Sequence, residues 1–144
     1  MTDAIPTEQE INLYGSLDAR TAAEHFLGKN ISQAEALFQE NFIYYQEDLM
    51  FMGPKAFCYY VRAAMNYLRS DESDGDSDAA NSFCSVVGSQ HEYSANEIAP
   101  VIPAIRDGIG AILAKIDRFE CAPEIYGDIP GKYRALLDRL IAGG

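Results

Sequence analysis

The chain has no tryptophan, only two histidines and three cysteines, and half as many basic as acidic side chains, 11 against 22. Each scarcity excludes something. Cys58, Cys84 and Cys121 are odd in number, stand apart in apolar surroundings and form no C-x-x-C pair, so they predict buried thiols in a reducing compartment rather than a disulfide framework. His25 and His91 make no H-x-x-x-H spacing, and with the scattered cysteines they supply no zinc site; no metal or cofactor is expected. The apolar runs break far short of the roughly 18 residues that span a bilayer, and Met1 to Glu10 has neither a basic start nor an apolar core. The expectation is a cytoplasmic chain that is not exported and does not engage a membrane.

The net charge of −11 is unevenly placed: residues 1–103 hold 16 of the 22 acids but 5 of the 11 bases, and residues 104–144 are balanced. A field of that sign repels nucleic acid and speeds encounter with a basic partner; it also serves solubility alone.

At 144 residues the chain fits one domain, able to bury roughly 68–70% of the surface its unfolded form exposes. Residues 1–10, with Pro6 and few apolar side chains, read as a flexible arm. Ser16 caps a helix near 17–27 that Gly28 stops. Ser32 and Glu35 have capping-box spacing for a short helix near 33–40. Residues 42–52 are ambiguous: FIYY has strand propensity, the rest does not alternate, and an irregular or short helical connection is expected. Gly53–Pro54 opens a helix in which Phe57, Tyr60, Val61, Ala64, Met65 and Leu68 share one face. Ser77 caps a helix at 78–91, the isoleucine-rich stretch 101–119 predicts a long central helix, and Pro130 starts the last one. The sum is an all-α single-domain bundle of about five or six helices.

Residues 42–70 hold eight of the sixteen aromatics, the densest part of the chain. Around them lie the candidate sites. Glu47 and Asp48, beside Tyr44 and Tyr45, are paired acids next to aromatics, a composition used in glycoside chemistry, although adjacent residues point apart and no second partner is identifiable. They equally serve to charge the start of the following helix. Tyr59, Arg62 and Asn66 fall opposite the apolar face of the 55–69 helix and are expected exposed, a tyrosine–arginine pair of the type that anchors interfaces.

The loop SDESDGDSD, 70–78, brings Asp71, Glu72, Asp74, Asp76 and Asp78 together. Aligning Gly75 with the sixth position of a calcium loop puts Asn81 where a bidentate Glu is required, so the loop reads as solvated or as a docking surface for a basic partner. Cys84 and His91 stand seven apart, about 10.5 Å along a helix, too far for a catalytic dyad. Gly108 and Gly110 follow no strand and lack the third glycine of a dinucleotide fingerprint; close helix packing is the expected reason for them. No catalytic residue is assigned.

The segment DLMFMGPKAFCYYVRAAMNYL, 48–68, resembles a pattern in uncharacterised bacterial helical domains of unknown function, carried by Asp48, Leu49, Phe51, Gly53, Pro54, Ala56, Phe57, Tyr59 and Tyr60, with a looser block over 25–38. The resemblance implies a helical bacterial domain and no activity.

The functional expectation is a non-enzymatic acidic interaction domain, of the immunity or inhibitor kind, binding a basic protein partner and no nucleic acid. The alternatives are an enzyme or small-ligand domain with a cleft near Tyr44 to Asp48, and a self-associating structural protein, for instance a homodimer.

Overall fold

The computed structural model describes residues 4–142. Among them are eight α-helices, three single 3-10 turns and no strand: α1 (Glu8–Ile11), α2 (Leu17–Phe26), α3 (Ile31–Phe51), α4 (Pro54–Arg69), α5 (Ser77–Ser94), α6 (Ile102–Ala114), α7 (Pro123–Tyr126) and α8 (Ile129–Ala142). The all-α expectation holds, and the helix count is higher than the five or six expected. The additions are short. Residues 8–10, assigned by sequence to the arm, form with Ile11 a turn closed by a reciprocal Thr7–Glu10 capping box, with Ile11 fully buried; residues 1–3 of that arm lie outside the described residues.

The central helix is α4, not the 101–119 stretch. It packs against α1, α3, α5 and α6, and most of its circumference is buried. Phe57, Tyr60, Val61, Ala64 and Leu68 face inward as their spacing requires, but Ala56, Tyr59, Ala63 and Tyr67 are buried as well, and Tyr67 stacks on Phe42 of α3. Only a stripe through Lys55, Asn66 and Arg69 is exposed, flanked by half-exposed Cys58 and Arg62. Gly53 opens the helix where the chain passes close to α1: a Cβ there would meet the Glu10 carbonyl oxygen and, at 2.9 Å, Leu13 Cβ.

The 101–119 helix is interrupted. Regular α geometry ends at Ala114, Lys115 leaves the helical region at φ −117°, ψ 21°, and a 3-10 turn covers Ile116–Phe119. The Lys115 ammonium reaches the Ser70 carbonyl at 2.7 Å and Ser73 Oγ at 3.1 Å, and the Arg118 carbonyl accepts from Gly75 N–H at 2.8 Å. These bonds hold the end of α6 to the 70–78 loop.

The ambiguous 42–52 segment is helical, and it continues α3 to Phe51. Asn30, rather than Ser32, caps α3, in a capping box with Gln33. Inside α3, Asn41 adopts extended backbone at φ −162°, ψ 86°, and its Oδ1 accepts from Tyr44 N–H at 3.1 Å. Asn41 is thus an internal N-cap: it ends one helix, begins another and bends the chain between them. The second segment lies against α2, where Asp48 meets His25.

Candidate functional site

The sharpest polar arrangement joins the last turn of α2 to the second segment of α3. His25 Nδ1 and Asp48 Oδ2 lie 2.6 Å apart. Asp48 is 5% exposed, whereas the His25 ring edge reaches solvent. With Asp48 ionised, its carboxylate accepts from Nδ1–H, which leaves Nε2 facing the Tyr44 hydroxyl at 3.4 Å. The rings pack around this axis: Tyr44 is tilted against His25 at 5.3 Å between centroids, and Tyr45 meets it edge-on at 5.1 Å.

The Asn41 cap sets the phase of this helix. From it, Tyr44, Glu47 and Asp48 follow at helical spacing, so Tyr44 and Glu47 are surface neighbours while Asp48 turns under them. The α2 backbone end opposite is fixed by the Tyr60 hydroxyl, which bonds the carbonyls of Phe26 at 2.8 Å and Lys29 at 2.9 Å.

Two effects compete at Asp48. Burial pushes its carboxyl above the usual carboxylate range; the hydrogen bond and charge of His25 oppose this, and the charges of Glu47 and Asp18 add to the rise. Burial wins. The Tyr45 hydroxyl is also pushed up, first by burial, then by the charge of Glu40, to which it donates at 3.4 Å. The seam is therefore anionic and already short of compensating positive charge. An imidazole held at Nδ1 by a carboxylate is geometrically suited to accept a proton at Nε2, and the hydroxyl nearest that nitrogen is tyrosine, a weak nucleophile.

Of the residues singled out from sequence, the fold gathers Tyr44, Tyr45, Glu47 and Asp48 with His25. His25 was absent from the candidate set, because a separation of 23 residues follows no local spacing rule. Tyr59 differs from expectation: it is buried at 8% exposure, edge-on to Tyr60, with the Arg62 guanidinium 5.1 Å above its ring. A helix with neighbours on most sides has no single outer face. Arg62 and Asn66, with Arg69 and Asp107, line a groove of about 290 Å³ between α4 and α6.

The carboxylates of the 70–78 loop are occupied within the chain. Arg118 bridges Asp71 at 2.8 Å and Asp74 at 2.6 Å; Asp76 caps α5, in place of the expected Ser77, and accepts from the Tyr67 hydroxyl at 2.7 Å. Asp78 accepts from Tyr126 at 2.6 Å, and Glu72 from Gln39 at 3.3 Å. Hydrogen bonds to Arg118 hold the Asp74 carboxyl below its ordinary range. The loop is a clasp.

Burial raises the thiols of Cys58, Cys84 and Cys121, and no group of three or more metal-ligating side chains forms among the described residues. The Gly108 expectation is met: a Cβ there would sit 2.5 Å from Met65 Sδ of α4, whereas one at Gly110 would meet nothing within 4 Å. A larger open groove, about 660 Å³, runs along Ile116, Cys121, Pro123 and Ile129 between the end of α6 and α8; neither groove is lined by His25, Tyr44 or Asp48. No described helix is long and apolar enough to cross a membrane. No family model, curated protein or solved structure matches the chain.

Proposed function

We propose that the protein is a non-enzymatic interaction domain whose acidic α2–α3 side receives a basic protein partner, the role that immunity and inhibitor proteins play for their targets. The observation that carries this is the imbalance on those two helices. Asp18, Glu24, Glu40 and Glu47 are exposed there, and Arg20 and Lys29 are the sole lysine or arginine residues between Leu17 and Phe51. Large apolar side chains are exposed beside them: Leu17 at 74%, Tyr44 at 55% and Ile43 at 44%. Carboxylates around exposed apolar anchors suit a partner that brings cations and an apolar contact.

The test is the rate of association with a panel of small basic proteins, acidic proteins serving as controls, measured from low to high salt. Association that slows as screening rises supports the reading. Equal rates at all salt concentrations, or preference for an acidic partner, overturn it.

A second reading, a catalytic or small-ligand site, is favoured by the His25–Asp48 pair with Nε2 facing the exposed Tyr44 hydroxyl. Its mark is a small molecule that shifts the His25 ring resonances saturably; a screen in which none does so removes the support.

A further inference from the structure

Resting on the reading of an acidic interaction domain, we infer that its recognition centre is the α2–α3 seam at Tyr44 and Glu47, and that this seam takes an arginine side chain of the partner. The two candidate acidic surfaces differ in what their carboxylates are already doing. In the 70–78 loop all five acids already accept hydrogen bonds within the chain, and the Arg118 guanidinium is shared by Asp71 and Asp74, so part of that negative charge is compensated where it stands. Glu47, Asp18 and Glu24 are exposed, and no hydrogen bond or ion pair engages their carboxylates among the described residues. Their charge is available to a newcomer.

The geometry selects the kind of cation. Tyr44 and Glu47 are three residues apart on one helical segment, so a ring and a carboxylate stand side by side, about 5–6 Å apart at their Cβ atoms. A guanidinium lies flat on a tyrosine ring and at the same time presents paired N–H donors at its edge to a carboxylate, a combination that a lysine ammonium does not match. The Tyr44 ring is held in place: its backbone N–H is fixed by Asn41, His25 and Tyr45 pack against the ring at 5.3 and 4.9 Å between centroids, and the residue is still 55% exposed. Beneath it, Asp48 is buried with Glu47 and Asp18 raising its carboxyl further, so a cation arriving at the seam also relieves crowding of negative charge. Leu17 and Phe51, at 74% and 36% exposure on the same two helices, offer apolar contact for the rest of a basic segment.

The experiment is a titration of the ¹⁵N-labelled full chain with an oligo-arginine peptide at low salt, with an oligo-lysine peptide of equal length in parallel. Amide shifts concentrated at residues 18–25 and 44–51 are expected, with oligo-arginine binding the tighter of the two. Tyr44→Ala and Glu47→Gln, both at exposed positions, each weaken binding by about three- to tenfold. Asp71→Asn and Asp78→Asn leave it unchanged, and the amide spectrum away from each substitution reports that the fold is retained. Saturable shifts confined to 70–78, or spread without preference over the surface, overturn the seam while leaving the acidic-domain reading standing. Equal binding of the lysine peptide overturns the guanidinium assignment. No saturable binding of either peptide overturns the domain reading as well.

Discussion

Replacing His25 by alanine removes the hydrogen-bond donor that faces a carboxylate at 5% exposure, and its cost can be worked from the geometry. Breaking a fully buried pair by removing one partner costs about 3–5 kcal/mol, because the remaining charge is stranded. His25 is 22% exposed at its side chain, so the vacated space opens toward water and part of that penalty is returned. An expectation of about 2–3 kcal/mol follows, equivalent to roughly 6–12 °C in Tm for a chain of this size. Asp48→Asn in the same background removes the stranded charge, so the double variant recovers part of the loss. The pH dependence has a definite sign. A carboxyl raised by burial binds its proton more tightly in the folded than in the unfolded state, so its favourable contribution is complete below the unfolded value and disappears as pH rises through the folded value. With the lowering influence of His25 removed, the carboxyl rises further, and the His25→Ala protein gains stability relative to wild type as pH falls from neutral toward that value. Urea unfolding at a series of pH values measures all of this. A loss below about 0.5 kcal/mol, with no coupling in the double-mutant cycle, refutes the description of Asp48 as a desolvated carboxylate dependent on His25.

Other substitutions test the packing around the site. Tyr60→Phe deletes the hydroxyl bonding the Phe26 and Lys29 carbonyls and is expected to cost about 1–2 kcal/mol in urea unfolding; an unchanged midpoint contradicts the role given to it. Gln90, 5% exposed, donates from Nε2 to the Leu49 carbonyl at 2.8 Å and the Met52 carbonyl at 3.1 Å, so Gln90→Leu keeps the volume but orphans the end of α3, at about 1–3 kcal/mol by the same assay. Gly110→Ala is expected to raise stability by about 0.5–1 kcal/mol, since it fills open space in a helix interior, while Gly108→Ala forces Met65 aside and gives no such gain. Equal thermal shifts for the two glycine variants contradict the close α4–α6 approach.

Much of the fold was legible because local signals agreed with each other. The Ser16 cap, the Gly28 stop and the Gly53–Pro54 opening each sit at an observed helix boundary. Where two local signals disagreed, packing decided. FIYY has strand propensity, yet Phe42 packs between Phe38 and Tyr67 and the Asn41 side chain caps the turn, so the segment is helical. The centre of the molecule was misplaced because an isoleucine-rich period over 101–119 looks most buried in isolation, whereas α4 is surrounded, which no single-helix pattern reports. The Thr7–Glu10 capping box stands in the sequence as T-x-x-E, but Pro6 and the few apolar side chains around it read as an arm, and the burial of Ile11 that anchors the turn is a tertiary fact.

The candidate site was half legible. Tyr44, Tyr45, Glu47 and Asp48 stand in one run, so composition alone drew attention to them. His25 comes from a different helix, and what brings it there is the bend at Asn41 together with the Tyr60 bonds that fix the end of α2, both tertiary facts. The 70–78 loop stood out as a charged run, but its clasping role depends on Arg118 and Tyr126, more than 40 residues away.

The central claim is that the unspent acids of the α2–α3 side, rather than the 70–78 loop, guide a basic partner. Association rates with an oligo-arginine peptide, measured across ionic strength for wild type, an Asp18→Asn/Glu47→Gln variant and an Asp71→Asn/Asp78→Asn variant, test it most directly. The α2–α3 variant is expected to flatten the salt dependence and slow association at low salt, with the loop variant following wild type. A salt dependence flattened by the loop variant and untouched by the α2–α3 variant contradicts the claim.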